Sequence, residues 1–285
     1  MKLYLAGAES TWVAALPGLK NVNVMYSYYH GRKRISELMA MARKYRWGTF
    51  VDSGAFSAFT SGVEVDLQEY IEFCHQWKDR FDVIASLDVI GDWKKTAENH
   101  QVMRKEGIES IPTFHIGEPY SALRRMVQDD EYIALGIAGR QSERSLMFNW
   151  LTKCFSIIAH ERPKCRVHGF ALTGFDVMDS FPWYSVDSSS WIQLSRYAKI
   201  AVHKKDGLSI YGREDREWLQ DNMKYTLTVP DNLEELFIPR KGSSQQGMAL
   251  RRHNARCFLE MSERIGTDPT EKGKAKQVIM PFALQ

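Results

Sequence analysis

Short apolar runs alternate with longer amphipathic stretches from the start of the chain to about residue 205. The apolar runs fall at residues 3–6, 22–29, 49–52, 83–88, 110–115, 132–136, 166–172, 184–188 and 198–203. Helix-like segments at 35–45, 67–80, 93–106, 120–128, 142–162 and 177–181 separate most of them. Strand, helix, strand at this spacing predicts a parallel sheet with right-handed crossovers. The expected fold class is α/β, a TIM (β/α)8 barrel. Nine runs exceed the eight that such a barrel needs, so one of the first two is expected outside it, as a hairpin element or a bottom cover. A doubly wound open sheet is the alternative. It gathers function at one switch point, whereas here polar residues end six consecutive runs.

Beyond residue 205 the pattern weakens. Residues 214–223 and 250–265 read as helices, the second as the one that closes the ring. Residues 225–229 read as a short strand that Pro230 ends. The Gly-, Ser- and Gln-rich stretch 240–248 reads as a loop, and a last ordered piece is expected at 278–282. The expectation is one barrel domain over 1–285, with 206–285 as a less regular C-terminal elaboration.

At 285 residues and 44% apolar, the chain can bury one large core. No apolar run approaches the roughly 20 residues that span a bilayer. Cys74, Cys154, Cys165 and Cys257 lack the paired spacing of a zinc site and are expected as reduced thiols in a cytoplasmic protein. A net charge of +3 does not by itself imply nucleic acid. Its distribution is more suggestive. Arg240, Lys241, Arg251, Arg252, His253 and Arg256 fall in a stretch without an acid, and Arg32, Lys33, Arg34, Arg43, Lys44 and Arg46 form a second cluster. Either cluster also reads as a solvated face.

The chemistry lies at the ends of the runs. Asp52 precedes Ser53, Gly54, Ala55 and Phe56; Asp88 ends an otherwise apolar run; Asp187 precedes three serines and Trp191. His115 ends another run, with Gly117 and Glu118 beyond it. Gly136 and Ile137 offer bare backbone able to hydrogen-bond a flat ligand, and Gly169 continues the rim. Any one of these acids has a plainer use as a helix N-cap. Trp183 and Trp191 read as packing residues. Together, the acids suit a glycosidic exchange, which needs one carboxylate as nucleophile and another as acid or base. A metal-dependent hydrolase using His115, His168 and His203, near the ends of the fourth, sixth and eighth barrel strands, is a competing reading. A non-catalytic module that holds a modified base is another.

Residues 51–56, 86–88, 134–139 and 186–187 resemble, in order and spacing, the stations of the queuine/archaeosine tRNA-guanine transglycosylases. The resemblance covers about residues 48–205. It implies a TIM barrel that exchanges guanine in a polynucleotide for a free 7-deazaguanine base such as preQ0, with no cofactor. By resemblance Asp187 is the nucleophile that attacks C1′, and Asp52 a general acid/base that also contacts the base. Asp88 reads the guanine-type face, while Gly136 and Ile137 contact its carbonyl edge. Ser53, Gly54, Phe56 and Gly169 belong to the same base-binding set. His115 stands where the tRNA enzymes usually carry Gln. The zinc insertion of the tRNA enzymes has no counterpart in the cysteine pattern. The resemblance therefore favours the compact DNA-modifying 7-deazaguanine transglycosylases of phages and genomic islands, with DNA preferred and tRNA the alternative. Arg240, Lys241, Arg251, Arg252, Arg256 and Lys204 are the expected phosphate contacts. A homodimer or an accessory DNA-handling protein is compatible with this reading, and a membrane is not expected.

Overall fold

The computed structural model describes residues 1–9, 11–31, 34–137, 144–172, 174–205, 207–230, 236 and 246–267. The chain opens with β1 (Lys2–Ala6), β2 (Asn23–Ser27), the single turn α1 (Tyr28–Gly31) and α2 (Ile35–Tyr45). Next come β3 (Gly48–Asp52), α3 (Ala55–Thr60), α4 (Leu67–Trp77), β4 (Val83–Ala85) and α5 (Trp93–Lys105). They are followed by β5 (Ser110–Ile111), β6 (Thr113–His115), α6 (Tyr120–Asp129), β7 (Tyr132–Gly136) and α7 (Arg144–Glu161). The series then runs through β8 (Arg166–Phe170), α8 (Phe175–Ser180), β9 (Ser185–Ser188) and α9 (Ser190–Arg196). The last elements are β10 (Ile200–Lys204), β11 (Gly207–Tyr211), α10 (Arg216–Asn222) and α11 (Gln246–Thr267).

Nine strands form one sheet in the order β5-β4-β3-β2-β1-β9-β8-β7-β6, every neighbour parallel. The two ends of that order are consecutive in the chain, with only Pro112 between them. Proline has no N–H to give a ladder, but its carbonyl accepts from Ala134 N–H at 2.8 Å. The run 110–115 therefore pairs with β4 on one side and β7 on the other, and the sheet curls into a nearly closed, broadly TIM-barrel-like ring ringed by helices, with further helices at its C-terminal end.

Two expectations about strand membership are corrected. Both of the first two runs belong to the ring, paired with each other. The run at 198–203 lies outside it, as β10 paired antiparallel with β11. Its apolar face is buried against Leu219, Met223, Leu236 and Leu250 instead. β9, which carries Asp187, therefore closes against β1, with Tyr4 opposite Asp187. Nor is 225–229 a strand: Met223–Tyr225 is a 3-10 turn, and the next residues follow as a bend tied by Leu227 N–H to His203 O.

Side chains alternate across each strand, and the alternation makes two cores. Inside the ring Tyr4, Met25, Phe50, Ala85, Ile111, Tyr132 and Ala134 pack together. Outside it Leu3, Leu5, Val24, Val51, Ile133, Leu135, Val167 and Val186 face the helices. Each fully buried large apolar side chain contributes roughly 1.5–3 kcal/mol. α5 is pinned to the ring by His100, whose Nδ1 lies 2.7 Å from Ser86 Oγ and whose Nε2 lies 3.1 Å from Asp130. α11 packs on α9, β10 and β1. There Asn254 accepts from Ala201 N–H (2.8 Å) and donates to Lys199 O (3.0 Å). All four cysteines are free. Among the described residues no helix is long and apolar enough to cross a membrane.

Candidate active site at the carboxyl-terminal mouth

Strand parity decides which end residues look into the ring. Phe50 points inward, so Asp52, two residues on, does too. The same rule sends Ser27 in after Met25, Gly136 after Ala134, and Asp187 after Ser185. These groups meet at the carboxyl ends of the strands, where they line a cavity of about 1060 Å³ together with Asp88, His115, Ile137 and Phe56.

Asp52 ends β3 and accepts a hydrogen bond from Gly54 N–H at 3.1 Å. Gly54 has φ 77°, and a Cβ there would come within 2.4 Å of the Tyr29 side chain, so this turn requires glycine. Burial pushes the Asp52 carboxyl up to about 8, helped by the negative charges of Asp88 and Asp187 and only partly opposed by the Gly54 N–H. The carboxyl therefore holds its proton near neutrality. Asp88, just after β4, is held by two partners. Ser53 Oγ donates to Oδ1 at 3.3 Å, and His115 Nε2 lies 2.8 Å from Oδ2. Burial disfavours the His115 cation, but the hydrogen bond and charge of Asp88, with Glu118 behind them, outweigh it and raise its pKa. Glu118 also accepts from the His115 backbone N–H at 2.9 Å.

Asp187 is only 6% exposed. Its Oδ1 accepts from Ala171 N–H at 2.9 Å and lies 3.4 Å from His168 Nε2. Ala171 adopts φ 54°, a left-handed backbone that costs an alanine energy. That strain turns its N–H toward the carboxylate. Beneath Asp187, His168 packs among Tyr4, Phe50 and Phe170. Burial lowers its pKa more than Asp187 raises it, so the ring is neutral. Its Nδ1 is 2.7 Å from Ser185 Oγ, which is 2.6 Å from Tyr132 OH. One arrangement gives every hydroxyl a donor role: Tyr132 donates to Ser185, Ser185 donates to Nδ1, and the Nε2 proton faces Asp187. This buried chain orients the acid.

Several expected roles change. Gly169 has outward parity, and a Cβ there would meet the Trp183 ring at 3.0 Å. It is a packing glycine rather than part of the mouth. Ser53 is fully buried and positions Asp88. Trp183 and Trp191 are buried and donate to Val177 O and Ala6 O, as packing residues do. His203 lies on β10 beside Thr228, away from His115 and His168. Among the described residues no three His, Cys, Asp or Glu side chains gather in metal-holding geometry.

Among the basic residues, Arg252 donates to Ala15 O and Pro17 O (3.2 and 2.6 Å), tying α11 to the first loop. Arg256 donates to Val229 O. Lys204 donates to Tyr211 OH at 2.7 Å. Each of these three, expected as a phosphate contact, has a hydrogen-bond partner within the chain. Arg251 lies over the Trp12 ring at 3.9 Å. Arg240, Lys241, Arg32 and Lys33 lie outside the described residues, as do the loop glycine Gly139 and the piece expected at 278–282. Sequence reasoning missed Glu9, Ser27, His30, Gln193 and Arg196, all lining the cavity. Glu9 accepts from Ser27 N–H at 3.4 Å. Its position just past the first apolar run was the available signal.

No protein-family model matches the chain, and no characterised protein matches it in sequence.

Proposed function

We propose that this protein is a base-exchange transglycosylase on an eight-stranded (β/α)8 barrel, with Pro112 dividing the fifth strand. It replaces guanine in a polynucleotide, DNA in preference to tRNA, with a free 7-deazaguanine. The observation that carries the reading is the pairing of two unlike carboxyls on one cavity. Asp52 is raised to about 8 and can donate a proton. Asp187 is buried, oriented from below by His168 and from the side by Ala171 N–H. A carboxyl that keeps its proton beside one aimed into the cavity by hydrogen bonds suits an acid and a nucleophile.

In the proposed reaction the target guanosine leaves its stack and enters the cavity, at a cost of a few kcal/mol from a duplex. An Asp187 oxygen attacks C1′, the C1′–N9 bond breaks, and the Asp52 proton goes to the departing guanine. The incoming 7-deazaguanine gives its N9 proton to the Asp52 carboxylate. N9 then attacks C1′ and displaces Asp187. Asp88, fixed by Ser53 and His115, faces the base and accepts from its N–H and amino groups. Gly136 lets the His115 ring lie close against β7, since a Cβ there would stand 3.0 Å from Nδ1.

The test incubates the protein with DNA carrying labelled guanine and, separately, with labelled tRNA. Release of label that depends on an added 7-deazaguanine is expected, from DNA most strongly. No release from either substrate contradicts the reading.

A further inference from the structure

Two large aromatic side chains stand on the lip: Phe56, expected by resemblance among the base-binding residues, and Phe59, to which the exchange reaction gives no task. Phe56 and Phe59 stand three residues apart on α3, hence on one face, and are 47% and 56% exposed. Both line the acid cavity. Water is a poor neighbour for such rings, and exposed rings beside an acid-bearing cavity mark a surface that a partner covers.

Their place in the ring indicates what that partner is. α3 follows β3, the strand of Asp52, and α9 follows β9, the strand of Asp187. Between these two strands lie only β2 and β1. At the end of α9 the Arg196 guanidinium sits 5.5 Å from the centre of the Trp12 ring, and Arg251 sits 3.9 Å from the same ring. One flank of the mouth is thus aromatic and the other cationic, with both acids of the proposed exchange between them. Asp88 stands past β3 in the strand order, and Gly136 and His115 past β9, so all three lie outside this crossing. Glu9, on the crossing, accepts from the Ser27 N–H. The cavity, at about 1060 Å³, lies at the top of the roughly 300–1,000 Å³ range of small-molecule sites. It has room for more than one nucleoside.

We infer that the polynucleotide crosses this mouth as an unpaired strand. It runs from the Phe56–Phe59 lip, over β2 and β1, to the Arg196–Trp12–Arg251 rim. Bases flanking the exchanged nucleotide stack on Phe59 and Phe56, and the following phosphates meet Arg196 and Arg251. This inference rests on the proposed exchange and adds to it the state of the substrate. A duplex keeps the flanking bases paired, beyond reach of the rings, whereas stacking on aromatic side chains is open to any unpaired base.

The test uses the full chain with a short oligodeoxynucleotide carrying one guanine flanked by fluorescent 2-aminopurine, single-stranded or annealed to its complement. The expected result is 2-aminopurine quenching on the single strand and tighter binding to it than to the duplex. Phe59→Ser weakens single-strand binding roughly tenfold or more with an unchanged salt slope. Arg196→Ala lowers the salt slope by about one. Phe59→Ser binding that stays within about twofold of the parent chain, or a preference for the annealed duplex, overturns the inference. So does a Phe59→Ser change that splits a dimer in sedimentation while leaving oligonucleotide affinity intact, because the lip then joins two copies of the chain. If the parent chain binds no oligonucleotide at all, the exchange reading falls with this one, an outcome separate from the others.

Discussion

The two mouths of the barrel hold acids in opposite ways. At the amino-terminal mouth a cavity of about 730 Å³ is lined by Asp82, Glu109, Asp130 and Glu131 together with Lys2, Arg104 and Arg166. Two of these acids are tied down. Asp82 accepts from Thr49 N–H at 2.7 Å, and Asp130 lies 3.1 Å from His100 and 3.5 Å from Arg104. Lys2 and Arg166 lie over the Tyr184 ring and pull its phenol pKa down, despite burial. At the carboxyl-terminal mouth, acid neighbours acid, and Asp52 is driven up to about 8. Asp82 and Asp130 tie strands and helices together through their contacts. An acid raised by burial and by neighbouring acids at a cavity is a candidate for chemistry.

Mutations should separate the two ends. The largest effect is expected from Asp187→Asn: base exchange falls by a factor on the order of a thousand or more, as loss of a nucleophile does. The circular dichroism spectrum should stay unchanged. Full exchange activity in this variant would remove Asp187 from the reaction.

The next effect is on pH. The folded-state pKa of Asp52, about 8, lies above its ordinary value of 3.8. The folded protein therefore holds a proton that the unfolded chain gives up, and this contribution to stability is full below pH 3.8 and lost as pH rises through 8. Denaturant melts should show stability falling by several kcal/mol across that window. Exchange by the parent chain should decline above pH 8 as Asp52 loses its proton, whereas Asp52→Asn should flatten the fall in stability and, with no proton to give, exchange base far more slowly at every pH.

At the other mouth, Asp82→Ala strands the buried Thr49 N–H and should cost about 1–3 kcal/mol with no change in exchange rate per folded molecule. A matching loss of activity would mean that the two ends are coupled. The smallest effect is expected from Arg252→Ala. The lost carbonyl contacts should cost about 1 kcal/mol, and the salt slope of oligonucleotide binding should stay as it was.

The sequence made the ring legible because each strand run and helix carries its own period. The stretch read as a helix at 35–45 is Ile35–Tyr45, and the run at 132–136 is β7. What it hid was partnership. The run at 198–203 is as apolar as a barrel strand, because α11 and β11 bury it as deeply as helices bury the ring. Local apolarity does not say which sheet a strand joins. Parity would have turned Gly169 outward, since it follows an inward His168 and precedes an inward Phe170. Arg252 reads like a phosphate contact until the chain folds and brings Ala15 and Pro17, over 230 residues away, to its guanidinium. The acids were legible because no apolar run has a structural use for three of them. Their relation to His168, Ser185 and Tyr132 was not, because each of those residues passes for ordinary core.

The convergence of the acids can be measured through the Asp52 side chain itself, by carbon-13 NMR titration in the parent chain and in Asp88→Asn and Asp187→Asn. The account predicts a midpoint near 8 that drops when either neighbouring charge is removed. A midpoint near the ordinary aspartate value of about 3.9, unmoved by both substitutions, would show that the three carboxyls do not share one site.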